Sequence, residues 1–183
     1  EQVDEGCVFG LVAGGVDGPV LVVGWVGDSR AYWVPDVGDA ALLTTDDSFA
    51  ADQIAAGADR EVAENGPHAH AITRWLGSDA PDHTPRTVSL ALDAAGWVLV
   101  CSDGLWNYCS APADLAQLVS ATRASVGDEP LPLAAALVQW ANAQGGRDNI
   151  TVALARIDPT PTATGTPPAA HREEVSADAN VLR

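Results

Sequence analysis

The chain has 183 residues, the length of one ordinary domain with a tail, and 47% of them are hydrophobic, too many for a wholly disordered protein. Its 25 acidic residues against 9 basic ones give a formal net charge of −16. A field of that sign argues against a nucleic-acid partner and against docking on an anionic membrane, since both carry negative charge. No apolar run of about 18 residues occurs, so we expect no membrane-spanning helix.

The composition also bears on origin and compartment. There is no methionine, from which we expect a processed product or a fragment. Every basic residue is an arginine in a chain rich in Ala, Gly, Val and Asp, which favours a bacterial source. Cys7, Cys101 and Cys109 fit no disulfide framework, so we expect small buried side chains in a reducing, cytoplasmic compartment.

Apolar segments separated by turn residues predict four strands near the start of the chain. They are Cys7–Ala13, Pro19–Val26, Arg30–Val34 and Ala41–Thr44. Ser48 is then expected to cap a helix that runs through Ala56 and stops at Gly57. Residues 58–84 are polar and predict a loop-rich excursion.

The remainder of the chain predicts both strands and helices. Strands are expected over Thr87–Leu92, Trp97–Cys101 and Asn149–Ile157, and leucines at helical spacing predict helices over Ala113–Arg123 and Leu131–Ala143. From Asp158 onward the chain is rich in Pro, Thr and Ala, which predicts a disordered tail or linker over residues 158–183.

Three aspartates stand at the ends of apolar strands in glycine-rich contexts: Asp28, Asp103 and Asp148. Rigid strand ends fix carboxylates well, and Mg²⁺ and Mn²⁺ prefer oxygen ligands. A strand-end aspartate is nevertheless more often part of a turn or a cap than a metal ligand. The residues by themselves therefore leave an acidic metal site and three ordinary turns both open.

Other polar and aromatic residues have simpler explanations. His68, His70 and His83 fit no metal-ligand spacing and are expected to be solvated. Trp33, Trp97 and Trp140 fall on apolar faces, which favours core packing. Asp46 and Asp47 are adjacent on a strand end, so their side chains should point apart.

Five motifs in a fixed order carry a family resemblance. They are Val26-Gly-Asp-Ser-Arg-Ala-Tyr32, Leu43-Thr-Thr-Asp-Asp-Ser48, Ile72-Thr-Arg-Trp-Leu-Gly77, Val98-Leu-Val-Cys-Ser-Asp-Gly-Leu-Trp106 and Gly146-Arg-Asp-Asn-Ile-Thr-Val152. The set covers about residues 7 to 157 and resembles the metal-dependent protein phosphatases of the type 2C (PPM) family, bacterial type.

The resemblance implies an α+β fold, a four-layer α-β-β-α sandwich that lacks its N-terminal strands and helices here. Residues 1–157 would be the C-terminal portion of the catalytic domain, with a flap at about residues 49–84. The family hydrolyses phosphoserine and phosphothreonine through a water that bridges two Mn²⁺ or Mg²⁺ ions, sometimes with a third ion. Phosphoproteins, including a Ser/Thr kinase, would be the partners of a monomeric enzyme.

Residue roles also follow from the resemblance. Asp103 and Asp148 match ligands of a core metal, and Asp28 matches a ligand that helps Asp103 hold a third, weaker metal. Asn149 would orient Asp148 or tie the adjoining turn, with Gly104 also in a supporting role. Arg30 and Tyr32 would be structural.

The chain departs from the family in several places. It lacks the Arg-x-x-Asn-Glu-Asp and Asp-Gly-His-Gly-Gly motifs, which supply a phosphate-binding Arg, further metal ligands and a general-acid His. We therefore expect no catalytic residue of that kind in this chain, and weak activity when it is alone. Asp47 replaces a usual His, and Asn107 replaces a common acidic residue.

Three functions remain open. The first is a protein Ser/Thr phosphatase, and the second is a pseudophosphatase that acts as a regulatory binding module. The third is a phosphatase of the same fold that serves a dedicated partner-switching protein. The Gly-Asp-Ser-Arg-Ala-Tyr and Asp-Asn-Ile-Thr motifs favour the first over the third, because they resemble the bacterial type that opposes Ser/Thr kinases.

Overall fold

The computed structural model of the chain describes residues 7–15, 18–80 and 82–158. Its elements are β1 (Cys7–Gly15), β2 (Gly18–Val26), β3 (Arg30–Pro35), β4 (Ala41–Leu42), α1 (Phe49–Ala55), α2 (Arg60–Glu64), β5 (Arg86–Ala91), β6 (Gly96–Cys101), α3 (Asp103–Trp106), α4 (Pro112–Val126), α5 (Pro130–Gln144) and β7 (Val152–Ile157). Apart from Asp158, the tail predicted over residues 158–183 lies outside the described residues.

The strands form two antiparallel sheets. The three-stranded sheet has the order β1-β2-β5, and the four-stranded sheet has the order β4-β3-β6-β7. In the four-stranded sheet, Arg30 lies opposite Cys101 and Cys101 lies opposite Val152. This register brings the start of β3, the end of β6 and the start of β7 to one edge of the sheet.

One part of the core lies between the sheets. Leu21, Val23 and Trp25 alternate along β2, so they share a face, and they pack against Trp33 and Val98 of the four-stranded sheet. All five side chains are at most 7% exposed. The apolar segment predicted as a strand from Pro19 to Val26 therefore contributes one face of this core.

A helical layer covers the outer face of the four-stranded sheet. Tyr32 and Leu99 on that face pack with Leu115 of α4 and with Leu133 and Leu137 of α5. Both long helices have a proline in their first turn and are followed by a glycine of positive φ, which are common start and stop features of helices. The layers run β, β, α, and the predicted α+β class is confirmed.

Three local predictions were wrong. Residues 58–84 contain α2, because the Asp59 side chain accepts a hydrogen bond from Val62 N at 3.1 Å and caps a short helix. The four-residue helix α3 was not expected after β6. The last strand begins at Val152 and not at Asn149, because Asn149 and Thr151 bond to the Ser102 side chain instead of continuing the ladder.

Residues 49–84 carry α1 and α2 and are called the flap below. A small cluster of Ala50, Ala63 and Ala69 holds the flap together. Ser48 caps α1 as predicted and pairs with Ile72, which ties the start of the flap to its second half. Within the described residues, no helix has the length and apolar character that crossing a membrane requires.

Candidate active site

The three aspartates singled out from the sequence lie just outside the paired strands at one edge of the four-stranded sheet. Asp28 precedes β3, Asp103 follows β6, and Asp148 precedes β7. Because Arg30, Cys101 and Val152 are neighbours across these strands, the backbones that carry the three carboxylates converge. We call this edge the acidic edge.

Ser102 joins the two halves of the acidic edge. Its hydroxyl donates to the Asn149 carbonyl at 2.9 Å and accepts from Thr151 N at 3.0 Å. Asn149 N in turn donates to Asp148 Oδ1 at 2.7 Å. The backbone of Asn149 therefore links Asp148 to the segment that begins α3 at Asp103.

Gly104 allows this close approach. A Cβ at this position would lie 2.5 Å from the Asn149 carbonyl oxygen, a distance that real Cβ atoms do not adopt. The requirement is steric rather than conformational, because Gly104 is not among the residues of positive φ. The glycine of the Ser-Asp-Gly motif thus serves as the surface on which the Asp148-Asn149 turn packs.

The turn that carries Asp28 is held from two sides. Trp106 Nε1 donates to the Asp28 carbonyl at 3.1 Å. Gly27, in the left-handed region at φ 101°, donates its N–H to Asp47 Oδ2 at 3.0 Å and accepts from Asp47 N at 2.9 Å. The peptide groups before and after Asp28 therefore both have fixed partners.

Arg30 and Tyr32 make structural contacts, in line with the roles implied by the resemblance. Arg30 forms two hydrogen bonds to Asp46, at 2.9 and 2.7 Å, and its guanidinium lies 3.8 Å from the centroid of the Trp106 ring. Burial acts to lower the pKa of Arg30, but Asp46 outweighs it and keeps that pKa above its ordinary value. Burial raises the pKa of Tyr32 to about 12, and its hydroxyl donates to the Ser110 carbonyl.

Asp46 and Asp47 point apart, as predicted. Asp46 turns to Arg30, whereas Asp47 is fully buried with Arg86 Nε at 2.7 Å and Arg74 Nη1 at 3.5 Å. The sequence flagged position 47 as unusual but gave no sign of these two partners. The only available signal was the absence of a histidine where the resembled family usually has one.

The remaining predicted side chains behave as expected where they are described. Cys101 and Cys109 are free and buried, and burial raises the pKa of Cys101 to about 12. The Cys7 side chain lies outside the described part. The histidines at positions 68, 70 and 83 are exposed, and the tryptophans at positions 33 and 97 are buried while that at position 140 packs against the core.

Two depressions adjoin the acidic edge. Gly104, Asn107, Tyr108, Arg147 and Asp148 line a hollow of about 290 Å³. A larger cleft of about 500 Å³ lies between the flap and the four-stranded sheet, with Asn107 on its wall as well. Asn107 therefore lines both the cleft and the hollow, and its Nδ2 lies 3.5 Å from Asp103 Oδ2.

The chemistry of the acidic edge suits a hard divalent cation only in part. Asp103 and Asp148 offer carboxylate oxygens on two segments that Gly104 allows to approach, which is the donor type that Mg²⁺ and Mn²⁺ prefer. Across residues 7–15, 18–80 and 82–158, however, no group of three or more His, Cys, Asp or Glu side chains is arranged to hold a metal. The metal-ligand roles of Asp28, Asp103 and Asp148 remain predictions.

Relatives and solved structures that match the chain include protein phosphatases, whereas no protein-family model matches it. Protein phosphatase PhpP of Streptococcus pneumoniae is 32% identical over 137 residues, which cover 73% of this chain and 51% of the relative. The chain thus spans about half the length of the curated relatives it matches.

Solved structures agree with that result. The serine/threonine phosphatase of S. agalactiae has a TM-score of 0.59 and 31% identity, over 74% of this chain and 53% of that one. The catalytic domain of PstP, solved in complex with two manganese ions, has a TM-score of 0.56 over 84% of this chain and 60% of that one. At 24% identity, the likeness to PstP concerns the fold alone.

Proposed function

Since this chain is homologous to the bacterial type 2C (PPM) serine/threonine phosphatases over about 70–84% of its length, we propose that it forms part of a metal-dependent protein phosphatase. The reaction is hydrolysis of phosphoserine and phosphothreonine in proteins. The observation that carries the proposal is the acidic edge, where the Ser102–Asn149 bonds and Gly104 hold the Asp103 and Asp148 segments together.

In this proposal Asp103 and Asp148 hold a core Mn²⁺ or Mg²⁺ ion, and Asp28 contributes to a third, weaker ion. The choice of metal follows from the preference of Mn²⁺ and Mg²⁺ for carboxylate oxygens. When bound, such cations lower the pKa of water and neutralise charge that develops on the phosphoryl group. Carboxylates on three separate segments suit this task because each is fixed by its own strand end.

The other residues of the edge hold these carboxylates in position. Asn149 N donates to one oxygen of Asp148 and limits the rotation of that carboxylate. Trp106 and Asp47 fix the Asp28 turn. The cleft beside Asn107 would take the protein segment that carries the phosphate, because Asn107 also lines the hollow that contains Asp148.

The activity of this chain by itself should be weak. The motifs that would supply the phosphate-binding Arg, the general-acid His and further metal ligands do not occur in its 183 residues. With fewer ligands the core ions would bind less tightly, and a phosphate would meet less positive charge.

A second candidate function is a pseudophosphatase that binds phosphoproteins without turnover. One observation favours it: a cleft of about 500 Å³ lies beside the flap, and a protein segment could bind there without a metal. In that case the cleft beside the flap would be the functional surface, and the carboxylates of the acidic edge would have no catalytic role.

Phosphate release from a phosphothreonine peptide, measured with Mn²⁺ and with EDTA, tests the proposal. The chain, its Asp103→Asn variant and an Asp36→Asn control, in which the carboxylate lies far from the acidic edge, are compared alongside Mn²⁺ titrations. We expect slow release that EDTA and Asp103→Asn abolish and the control preserves. Mn²⁺ binding that depends on Asp103 without release would favour the pseudophosphatase. Release that survives EDTA, or no Mn²⁺ binding by a folded chain, would overturn the proposal.

A further inference from the structure

Asp47 differs from every other acidic residue of the described part. It is the only buried charged side chain there, at 0% exposure. A buried carboxylate is costly unless charges and hydrogen bonds compensate it, so its retention calls for a specific role.

Both carboxylate oxygens of Asp47 are engaged, and they serve different segments. Oδ2 accepts from Gly27 N at 3.0 Å, in the turn that carries Asp28. Oδ1 faces Arg86 Nε at 2.7 Å and Arg74 Nη1 at 3.5 Å. The two guanidiniums offset the charge, which leaves the second oxygen free to hold the turn.

The backbone of Asp47 strengthens the same link. Its N–H donates to the Gly27 carbonyl at 2.9 Å, and its carbonyl accepts from Thr73 N at 2.9 Å. Gly27 is thus bonded to Asp47 through both its N–H and its carbonyl. With Trp106 on the Asp28 carbonyl, the backbone around Asp28 has little freedom.

We propose that Asp47 is a positioning residue that sets the orientation of Asp28 at the acidic edge, an inference that rests on the metal-dependent function proposed above. Its ionised carboxylate is needed because it provides two acceptor oxygens. An asparagine of the same shape has only one oxygen, and its second terminal group is an NH₂ donor. That NH₂ would face another donor, either the Gly27 N–H or a guanidinium. Either arrangement loses one of the two contacts that hold Asp47 between the turn and the guanidiniums, so the substitution should loosen the turn even where the fold survives.

The test compares Asp47→Asn with Asp36→Asn in the ¹⁵N-labelled chain. Asp36 is a matched control, because it also contacts two arginines, Arg123 and Arg156, but lies at the far end of β3. Amide exchange reports on Gly27, and Mn²⁺ titration reports on Asp28 through paramagnetic broadening of the Ser29 and Arg30 amide signals. Asp28→Ala identifies the broadening that depends on Asp28.

We expect Asp47→Asn to speed exchange at Gly27 at least about tenfold and to weaken the Asp28-dependent Mn²⁺ binding about tenfold, the lower end for supporting residues of metal sites. Asp36→Asn should change neither. Wild-type exchange at Gly27, or unchanged Mn²⁺ binding at Asp28, in Asp47→Asn would overturn the positioning role while leaving the proposed function intact. Absence of Asp28-dependent binding in the wild-type chain would instead overturn both the metal role of Asp28 and the inference built on it.

A second variant guards against a failure to fold. Arg86→Gln keeps Asp47 but removes its nearest cationic partner, and Arg86 is 41% exposed. We expect the same two effects in the same direction, each smaller than in Asp47→Asn. A folded Arg86→Gln chain with wild-type exchange at Gly27 and wild-type Mn²⁺ binding would contradict the proposal.

Discussion

Two carboxylates near opposite ends of β3 have the same kind of partners in different surroundings. Asp36 receives hydrogen bonds from Arg156 at 2.8 and 2.5 Å and from Arg123 at 3.2 Å, and its side chain is 31% exposed. Asp47 faces Arg86 and Arg74 at 0% exposure. The comparison shows that the same ion-pair pattern contributes differently to stability at the two sites. Water can replace lost partners at exposed Asp36, whereas it cannot reach buried Asp47.

The two clusters also connect different parts of the molecule. Arg123 of α4 and Arg156 of β7 both lie over the ring of buried Trp97, at 5.5 and 5.4 Å, so the Asp36 cluster joins elements that the core already holds. The Asp47 cluster joins the flap, the start of β5 and the turn before β3. A substitution that removes the Asp47 contacts should therefore change the position of the turn before β3 as well as the stability of the fold.

The largest effect is expected for Asp47→Ala. Truncation leaves Arg74 and Arg86 without their buried counter-charge and Gly27 N–H without an acceptor, so the free energy of unfolding should fall by about 3–5 kcal/mol. Urea unfolding followed by circular dichroism measures it. A loss no larger than that of Asp36→Ala would refute the contrast between the two clusters.

Gly104, at the acidic edge, and Gly96, at the opposite end of the four-stranded sheet, allow a second comparison. A Cβ at Gly104 would meet the Asn149 carbonyl at 2.5 Å, and a Cβ at Gly96 would meet Pro35 Cα and the Val34 carbonyl at 2.7 Å. Each alanine variant should cost about 1–3 kcal/mol, as overpacking usually does. Only Gly104→Ala should also weaken Mn²⁺ binding, because it separates Asp103 from Asp148. Calorimetric titration of both variants with Mn²⁺ checks this. Equal Mn²⁺ affinities of the two variants would show that Gly104 has no role in metal binding.

A smaller effect is expected for Asp36→Asn. Exposed ion pairs contribute little because water and salt screen them, so the free energy of unfolding should fall by no more than about 1 kcal/mol. Raising the salt concentration should shrink the difference from the wild type. Thermal unfolding at low and high NaCl measures both. A large loss that salt does not alter would place Asp36 in the same class as Asp47.

The smallest effect is a dependence on pH. Hydrogen bonds from Arg156, together with the charges of Arg156 and Arg123, hold the pKa of Asp36 below its ordinary value. A lowered folded-state pKa stabilises the fold above the unfolded-state pKa of about 3.9, and the stabilisation is lost as the pH falls through the folded-state value. The difference in melting temperature between wild type and Asp36→Asn should be full at pH 7 and shrink below about pH 4. A difference that grows with acid would contradict this assignment.

Much of the fold could be predicted because its long elements carry strong local signals. Apolar segments between turn residues predicted β2 and β6, and leucines at helical spacing predicted α4 and α5, within a few residues of their bounds. The short helices α2 and α3 were missed, since one turn of helix is too short to show an apolar period. Their position depends on caps and on tertiary packing.

The sequence predicted the aspartates of the candidate site but not the contacts that support them. Motif order identified Asp28, Asp103 and Asp148, and the strand register of the structure places their backbones at one edge. The partners of Asp47 could not be read from the sequence, because Arg74 and Arg86 reach it only through the path of the flap. Asn149 was expected to orient Asp148 or tie the adjoining turn, and the bonds that it makes there come from its backbone.

The placement of Trp106 gives the acidic edge a built-in optical reporter. Its indole is 7% exposed, its ring stacks on the Arg30 guanidinium, and its N–H bonds to the Asp28 carbonyl. Indole emission responds to nearby charge and to the strength of such a bond, so a cation that shifts the Asp28 turn should change the fluorescence of this one residue. The difference between wild type and Trp106→Phe would isolate it from the five other tryptophans. Occupancy of the edge could then be followed in solution without a substrate.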